Sequence, residues 1–299
     1  MTDARQVTAE VTRRLQAAEV PGATADARWI VAHVLRTSPA GLAFAGPVSE
    51  EEIAQIEAAT TRRSAREPLQ HILGSAPFGD LELAVGPGVF VPRPETEVLA
   101  QYMLTWLRQQ DHRPLHVVDA CAGSGALALA VACHAPPGTQ VTAIEKSVDA
   151  LPWLHRNVAA CAPRFQARGS TVEIVAGDVT VPDRWPTDQD LVVSNPPYIP
   201  DGCIPREPEV RDHDPAVALF VGPDGFTVLR PLLTNAASVL RPGGLIAVEH
   251  SDNQGGADGV PGLIEATAAF HTITDHPDFT GRPRFTTARP RPDSPSGSG

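Results

Sequence analysis

The chain has 299 residues, 42% of them hydrophobic, enough to bury a full core and to divide into one large domain and a smaller one. Its 24 basic and 35 acidic residues leave a net charge of −11, which disfavours tight nonspecific binding to a phosphate backbone, so no stable nucleic-acid binding is expected. Four scattered cysteines (Cys121, Cys133, Cys161, Cys203) form no C-x-x-C pair and have no metal-ligand spacing, which fits a reducing compartment. With no signal peptide and no apolar run of ~18 residues, the sequence predicts a cytoplasmic protein without a membrane span.

The first 75 residues carry helical periodicity. Val7, Val11 and Leu15 share one face before a Pro21-Gly22 break, and Thr24 or Asp26 is placed to cap a second helix with Trp29, Ile30, Val34 and Leu35. Ser49 with Glu52 forms a capping-box pattern ahead of Ile53 and Ile56. Three such helices make a small bundle suited to recognition. Arg62, Arg63 and Arg66 at its end read as a solvated basic face or as a docking patch for a partner.

The period then changes. Leu81, Leu83 and Val85 alternate with other residues, and Gly86-Pro87-Gly88 leads into Val89-Phe90-Val91, which predicts a hairpin. Pro92-Arg93-Pro94-Glu95-Thr96-Glu97 opens an amphipathic helix through Val98, Leu99, Met103, Leu104 and Leu107. From about residue 114 strands and helices alternate, with strands expected at 115–120, 140–145, 171–176, 191–194 and 245–250. This pattern predicts an open parallel sheet covered on both faces, with 271–274 and 285–288 as an antiparallel pair at its edge. The expected organisation is a helical domain over 1–75, a hairpin linker over 76–97, an α/β domain over 98–289, and a disordered Pro/Ser/Gly-rich tail over 290–299.

Asp119-Ala120-Cys121-Ala122-Gly123-Ser124-Gly125 lies between the first strand of that sheet and a helix. Alone, this G-x-G marks either a tight turn or a loop that approaches a nucleotide-like ligand. Glu145 ends the second strand, where an acid can accept from both hydroxyls of a ribose, and Asp178 with Val179 follows the third, within reach of an adenine amino group. Acids at the carboxyl ends of successive strands lie on the edge where open α/β sheets bind ligands. His112 and His116 have no carboxylate or cysteine to complete a metal set, and no metal site is expected.

The fourth strand stops on Asn195-Pro196-Pro197-Tyr198. The prolines lack N–H groups and stiffen the backbone, so this tip offers carbonyl acceptors, an amide side chain and the flat face of Tyr198. Such a pocket suits a planar NH2 group, which a dehydrogenase would not need. Together with the glycine loop these features look like S-adenosylmethionine bound by a class I methyltransferase: a Rossmann-like, mostly parallel seven-stranded sheet preceded by a small helical bundle.

At this point the sequence resembles the N5-glutamine methyltransferases of class I peptide-chain release factors, the family formerly called HemK. The resemblance runs from the N-terminal helices to about Arg289. It rests on Arg66 to Gly74 (REPLQHILG), Gly86 to Glu97 (GPGVFVPRPETE), Asn195 to Tyr198, and the loop containing Asp214-Pro215, Ala218-Leu219 and Gly222-Pro223-Asp224-Gly225. It implies that Cys121, Ala122, Gly123, Ser124 and Gly125 hold the methionine part of S-adenosylmethionine, that Glu145 holds its ribose, and that Asp178 and Val179 border its adenine. It implies that Asn195, Pro196, Pro197 and Tyr198 grip the substrate glutamine, with Asn195 also beside the cofactor, and that Pro94-Glu95-Thr96 closes over the site. The product would be S-adenosylhomocysteine and the protein partner a class I release factor. Cys121-Ala122 departs from the more usual Gly-Thr, Glu145 from Asp, and Ser251 from Gly. The alternatives are an N6-adenine methyltransferase with the same nitrogen geometry, a ribosomal-protein glutamine methyltransferase, and a non-catalytic binding protein.

Overall fold

The computed structural model describes residues 2–111 and 114–292. His112 and most of the expected tail lie outside the described residues. The chain forms two compact units, one of Met1–Ala76, Val85–Pro87 and Ile204–Asp214, the other of Pro77–Ala84, Gly88–Cys203 and Pro215–Gly299.

In the first unit, α1 (Ala4–Ala17), α2 (Ala23–Val34), α3 (Glu50–Ser64) and α4 (Leu69–Leu73) enclose Val7, Val11, Leu15, Ile30, Val31 and Ile56. A short strand pair, β1 (Thr2–Asp3) with β2 (Pro47–Val48), completes the unit. The capping box at Ser49 is present, with the Ser49 N–H donating to Glu52 at 2.8 Å and the Glu52 N–H to Ser49 Oγ at 3.3 Å. The cap of α2 differs from expectation. Gly22 takes the position at φ +70°, and Asp26 instead turns its carboxylate toward Arg63.

That contact explains the arginine cluster. Arg63 is buried, bonded to Asp26 at 2.7 Å and to Glu209 at 2.9 Å, while Arg66 grips both oxygens of Glu209 at 2.8 and 2.7 Å. Arg62 pairs with Glu67. Arg63 and Arg66 are therefore neither a solvated face nor an open docking patch, while Arg62 stays about half exposed. Their charge is spent within the unit, on Asp26 and on Glu209, which the short helix over Pro208–His213 brings from a distant part of the sequence.

The hairpin is formed by other residues than expected. β3 (Ser75–Phe78) pairs with β4 (Leu81–Ala84) across Gly79-Asp80, with Gly79 at φ +58° supplying the tight two-residue turn. Val85 to Pro92 runs as a loop instead. Pro87 and Pro92 have no N–H to donate to a ladder, and Gly88 passes so close to Asp149 that a Cβ would lie 2.7 Å from it.

In the second unit α5 (Pro94–Arg108) precedes a seven-stranded sheet: β5 (His116–Ala120), β6 (Gln140–Glu145), β7 (Thr171–Ala176), β8 (Gln189–Ser194), β9 (Leu240–Glu249), β10 (Phe270–Pro277) and β11 (Pro283–Pro290), in the spatial order β10-β11-β9-β8-β5-β6-β7. The first five are parallel, and β10 and β11 are antiparallel at one edge. Side chains alternate between two cores, as strand geometry requires. Val117, Leu191, Val193, Leu245 and Ala247 pack under α5, α6 (Ala126–His134) and α7 (Leu151–Gln166). Val118, Val192, Ile246 and Val248 face the helices over Leu229–Val239 and Val260–Ala266. α6 is buried along almost its whole length, which accounts for its run of alanines and leucines. No helix among the described residues is long and apolar enough to cross a membrane.

Glu209 gives a stability prediction. Burial opposes its charge, but the Arg66 and Arg63 guanidiniums outweigh that and hold its carboxyl down at about 2. Its folded-state pKa lies below the ordinary value, so its stabilisation is complete above about 4.5 and lost as pH falls toward about 2. Glu209→Gln is expected to cost about 3 kcal/mol at neutral pH, because it leaves Arg66 without its carboxylate and the buried Arg63 with Asp26 alone. In urea titrations the deficit should shrink as pH falls from about 4 to 2. A deficit that is constant across that range would contradict the assignment.

Candidate active site

β5 lies between β6 and β8, so the chain connections leave it in opposite directions and a crevice opens beyond the carboxyl ends of the strands. The register places Ala120 beside both Ile144 and Ser194, which sets the glycine loop, Glu145 and Asn195 around that crevice. The cavity there is about 1060 Å3 with its open mouth included.

The loop after β5 is held by Cys121 and Ala122, whose N–H groups both donate to the Ile144 carbonyl at 3.1 and 3.0 Å. Gly125, at φ +87°, opens α6, and a Cβ there would strike Leu154 at 2.7 Å, so both conformation and space demand glycine. A Cβ on Gly123, at φ +57°, would meet no protein atom within 4 Å, so the cavity wall at this point is bare backbone. Cys121 also sits at positive φ, +69°, a conformation that costs a non-glycine residue about 1 kcal/mol. Burial and the neighbouring Glu145 carboxylate push its thiol well above the usual range, so it is an inert wall residue rather than a nucleophile.

Glu145 is buried at the end of β6. Its Oε2 accepts from the Gly123 N–H at 2.8 Å and its Oε1 from the Ser147 N–H at 2.7 Å, which orients the carboxylate and leaves each oxygen a further acceptor position. Asp178 is placed differently. The cavity is lined by its neighbours Gly177 and Val179, whereas the half-exposed Asp178 carboxylate accepts from the Thr180 N–H at 2.9 Å and lies 3.4 Å from Lys146. Asp119 emerges as a wall residue that its place in the glycine-loop motif did not single out. It is buried, its Oδ2 accepts from the Ala128 N–H at 2.8 Å, and its Oδ1 has no hydrogen-bond partner. Burial raises its carboxyl to about 7.

β8 is buried from Gln189 to Ser194 and delivers Asn195, Pro197 and Tyr198 to the cavity wall. Gly125 shapes the backbone without contributing to that lining, and Pro196, not itself a lining residue, lies between Asn195 and Pro197, which are. The turn is locked from behind. The Tyr198 carbonyl accepts from Gln254 Nε2 at 3.0 Å, Ile199 bridges to Phe220, and Gly225 lies so close that a Cβ would approach the Tyr198 oxygen to 2.6 Å. Phe90, Pro92 and Thr96, from the segment before and within the start of α5, line the facing wall. His250 joins Thr286 at 3.0 Å and Asp275 at 3.2 Å, pinning the end of β9 to its neighbours. Among the described residues no cluster of His, Cys, Asp or Glu could hold a metal ion.

Comparison with known proteins agrees with this geometry. The family model of the PrmC N-terminal domain matches residues 6–74, and that of the methyltransferase small domain matches residues 80–203. A release factor glutamine methyltransferase of Mycolicibacterium smegmatis is 45% identical over 294 residues, covering 96% of this chain and 98% of that protein. One of Streptomyces coelicolor is 44% identical over 286 residues, covering 94% and 96%. A more distant relative, 37% identical over 279 residues with 90% and 89% covered, is the 4-amino-L-phenylalanine/4-methylamino-L-phenylalanine methyltransferase of Streptomyces pristinaespiralis. The solved structure of a T. thermophilus 16S rRNA N2 G1207 methyltransferase, in complex with AdoMet and guanosine, shares the fold. It aligns with a TM-score of 0.50 and 21% identity over 73% of this chain and 50% of that one. From the helical unit through the glycine loop to Asn195-Pro196-Pro197-Tyr198, and at 45% identity over nearly its full length, the chain belongs to the release factor glutamine methyltransferase family.

Proposed function

We propose that this protein transfers a methyl group from S-adenosylmethionine to the side-chain amide nitrogen (N5) of a glutamine in a class I peptide-chain release factor, leaving S-adenosylhomocysteine. The observation that carries the reading is that Asn195, at the tip of a buried strand, lines the same cavity as the glycine loop and Glu145. A release factor substrate would place the reaction in the cytoplasm.

The residues present fit the cofactor. Bare backbone at Gly123 admits close approach, Glu145 keeps acceptor positions for two hydroxyls, and the unpartnered Asp119 Oδ1 would be satisfied by an ammonium group. Ala122, Ser124 and Val179 complete the wall around them. When bound, S-adenosylmethionine supplies an electrophilic methyl on a positively charged sulfur.

The chain's own residues would handle the acceptor. An amide nitrogen is a poor nucleophile because its lone pair is delocalised into the carbonyl. The Asn195 side-chain oxygen and the Pro196 backbone carbonyl would each accept one N–H of the glutamine amide, hold the nitrogen in line and stabilise the positive charge that develops on it. Tyr198 would stack on the amide plane while its backbone is held by Gln254. No strong base is required, since the N-methylated amide sheds its extra proton readily.

Adenine and an aromatic amine present the same planar NH2. The net charge of −11 and the lack of a Lys/Arg-rich recognition region favour a protein amide over a nucleic acid. The relatives named for release factors are 45% and 44% identical, against 37% for the one named for an arylamine.

Incubation with methyl-labelled S-adenosylmethionine and, separately, a release factor, a DNA duplex or 4-amino-L-phenylalanine tests the reading by mass spectrometry. The expected result is one label on a glutamine side chain of the release factor. Label on adenine or on the arylamine alone would overturn it. Asn195→Ala is expected to lower kcat about 100-fold or more while calorimetry finds cofactor affinity within about 3-fold of wild type. Glu145→Ala should do the reverse first, weakening the cofactor at least about 10-fold. Near wild-type turnover by the Asn195 variant would remove its assigned role.

A further inference from the structure

We propose that Thr96 and Glu249 are positioning residues that fix which end of the Asn195 amide faces the substrate. The inference rests on the reading of Asn195 given above and goes one layer behind it. The two ends of an asparagine amide have nearly the same shape and opposite hydrogen-bonding character. A half-turn about its last side-chain bond would present an NH2 to an incoming NH2, and the site would repel what it must hold.

Asn195 Nδ2 donates to Thr96 Oγ1 at 3.5 Å, the long end of the hydrogen-bond range, across a sequence separation of 99 residues. Behind Thr96 lies Glu249, the last residue of β9, 2% exposed, which is hydrogen-bonded to the Thr96 side chain. β9 runs parallel to β8 with Val248 beside Ser194, so Glu249 falls one step further, level with Asn195. Its Oε2 has no hydrogen-bond partner, and Thr96 is the side chain hydrogen-bonded to it.

The direction of each bond follows from the charge on Glu249. A carboxylate can only accept, so the single hydroxyl proton of Thr96 points at Glu249 and its oxygen lone pairs face Asn195. Asn195 must then turn Nδ2 toward Thr96, which leaves Oδ1 for the cavity. A protonated Glu249 can donate instead. The Thr96 proton is then free to swing to Oδ1, and the preference is lost or reversed.

The groups that act on Glu249 are Arg284 of β11, Arg93 and Glu95 at the start of α5, and Tyr198 beyond Asn195. Burial disfavours its charge and Glu95 adds to that, while Thr96 and the two arginines favour it, and its carboxyl stands at about 7. Folded protein at pH 8 therefore holds the relay in the productive sense, and acid withdraws it.

The test measures kcat and KM with a release factor, cofactor affinity by calorimetry, and thermal unfolding as a control for folding. Thr96→Val keeps the shape and removes the hydroxyl. It is expected to lower kcat about 10-fold to 100-fold with KM and cofactor affinity within about 3-fold, and Thr96→Ser should restore kcat to within about 3-fold of wild type. In wild type, kcat should fall as pH drops below about 7, and that limb should be absent from Thr96→Val. A Val variant at the wild-type rate, a Ser variant no better than Val, or a flat wild-type profile from pH 6 to 8 would overturn the relay. A flat wild-type profile overturns the relay even if Thr96→Val fails to fold. Asn195→Ala run in parallel separates the two readings. If it is inactive while Thr96→Val is normal, only the relay fails; if it is also fully active, the assignment of Asn195 fails with it.

Discussion

The parallel pairing of β5 with β6 on one side and β8 on the other is the constraint from which the site follows. It forces three chain segments to leave the sheet at one edge and to diverge there, and the space between them is the cavity. The glycine loop turns back over that space because Gly125 begins α6 in a conformation and a volume that exclude a side chain. Asn195 faces the same space because β8 ends in prolines that cannot continue a ladder. Neither arrangement needs the other, yet the register of one strand pair brings both to a common wall.

The wall is also unusual electrostatically. Asp119 lines the cavity and Glu249 lies behind Thr96, both carboxyls are buried, and burial raises both to about 7. Glu145 adds a third acid, its two oxygens already aimed by backbone N–H groups. Burial, and after it repulsion from the Glu145 charge, disfavour ionisation of Asp119. A cationic ligand relieves that repulsion, and both the sulfonium and the ammonium of S-adenosylmethionine carry positive charge. A pocket lined by Asp119 and Glu145 is therefore matched to this methyl donor more than to an anionic nucleotide.

Much of this was legible in the sequence because the signals were local. β6 and β7 begin and end where periodicity placed them, at Gln140–Glu145 and Thr171–Ala176. β8 starts two residues earlier than expected because Gln189 and Asp190 are polar but buried. Asp190 accepts from the His116 N–H at 2.7 Å, a partner that no local pattern announces. β9 starts at Leu240 although Pro242-Gly243-Gly244 reads as a turn, and the pairing absorbs it with a register shift opposite Gln189 and Leu191. The hairpin was misplaced because Gly86-Pro87-Gly88 looked like the stronger turn, while Gly79-Asp80 had the loop length that pairs two strands. Gln254 and Glu249 could not be found this way, and Thr96 entered only with the Pro94-Glu95-Thr96 segment that the resemblance set over the site. The role of each comes from a partner far away in the chain.

The central claim is that the end of β8 offers acceptors to a planar NH2 held beside the methyl donor. A crystal structure with S-adenosylhomocysteine and a glutamine-containing release factor peptide tests it most directly, at a resolution where the hydrogen-bond network fixes amide orientation. The account predicts the glutamine nitrogen within about 3 Å of both Asn195 Oδ1 and the Pro196 carbonyl oxygen. A glutamine whose carbonyl oxygen occupies that position, or whose nitrogen lies away from β8, would contradict it.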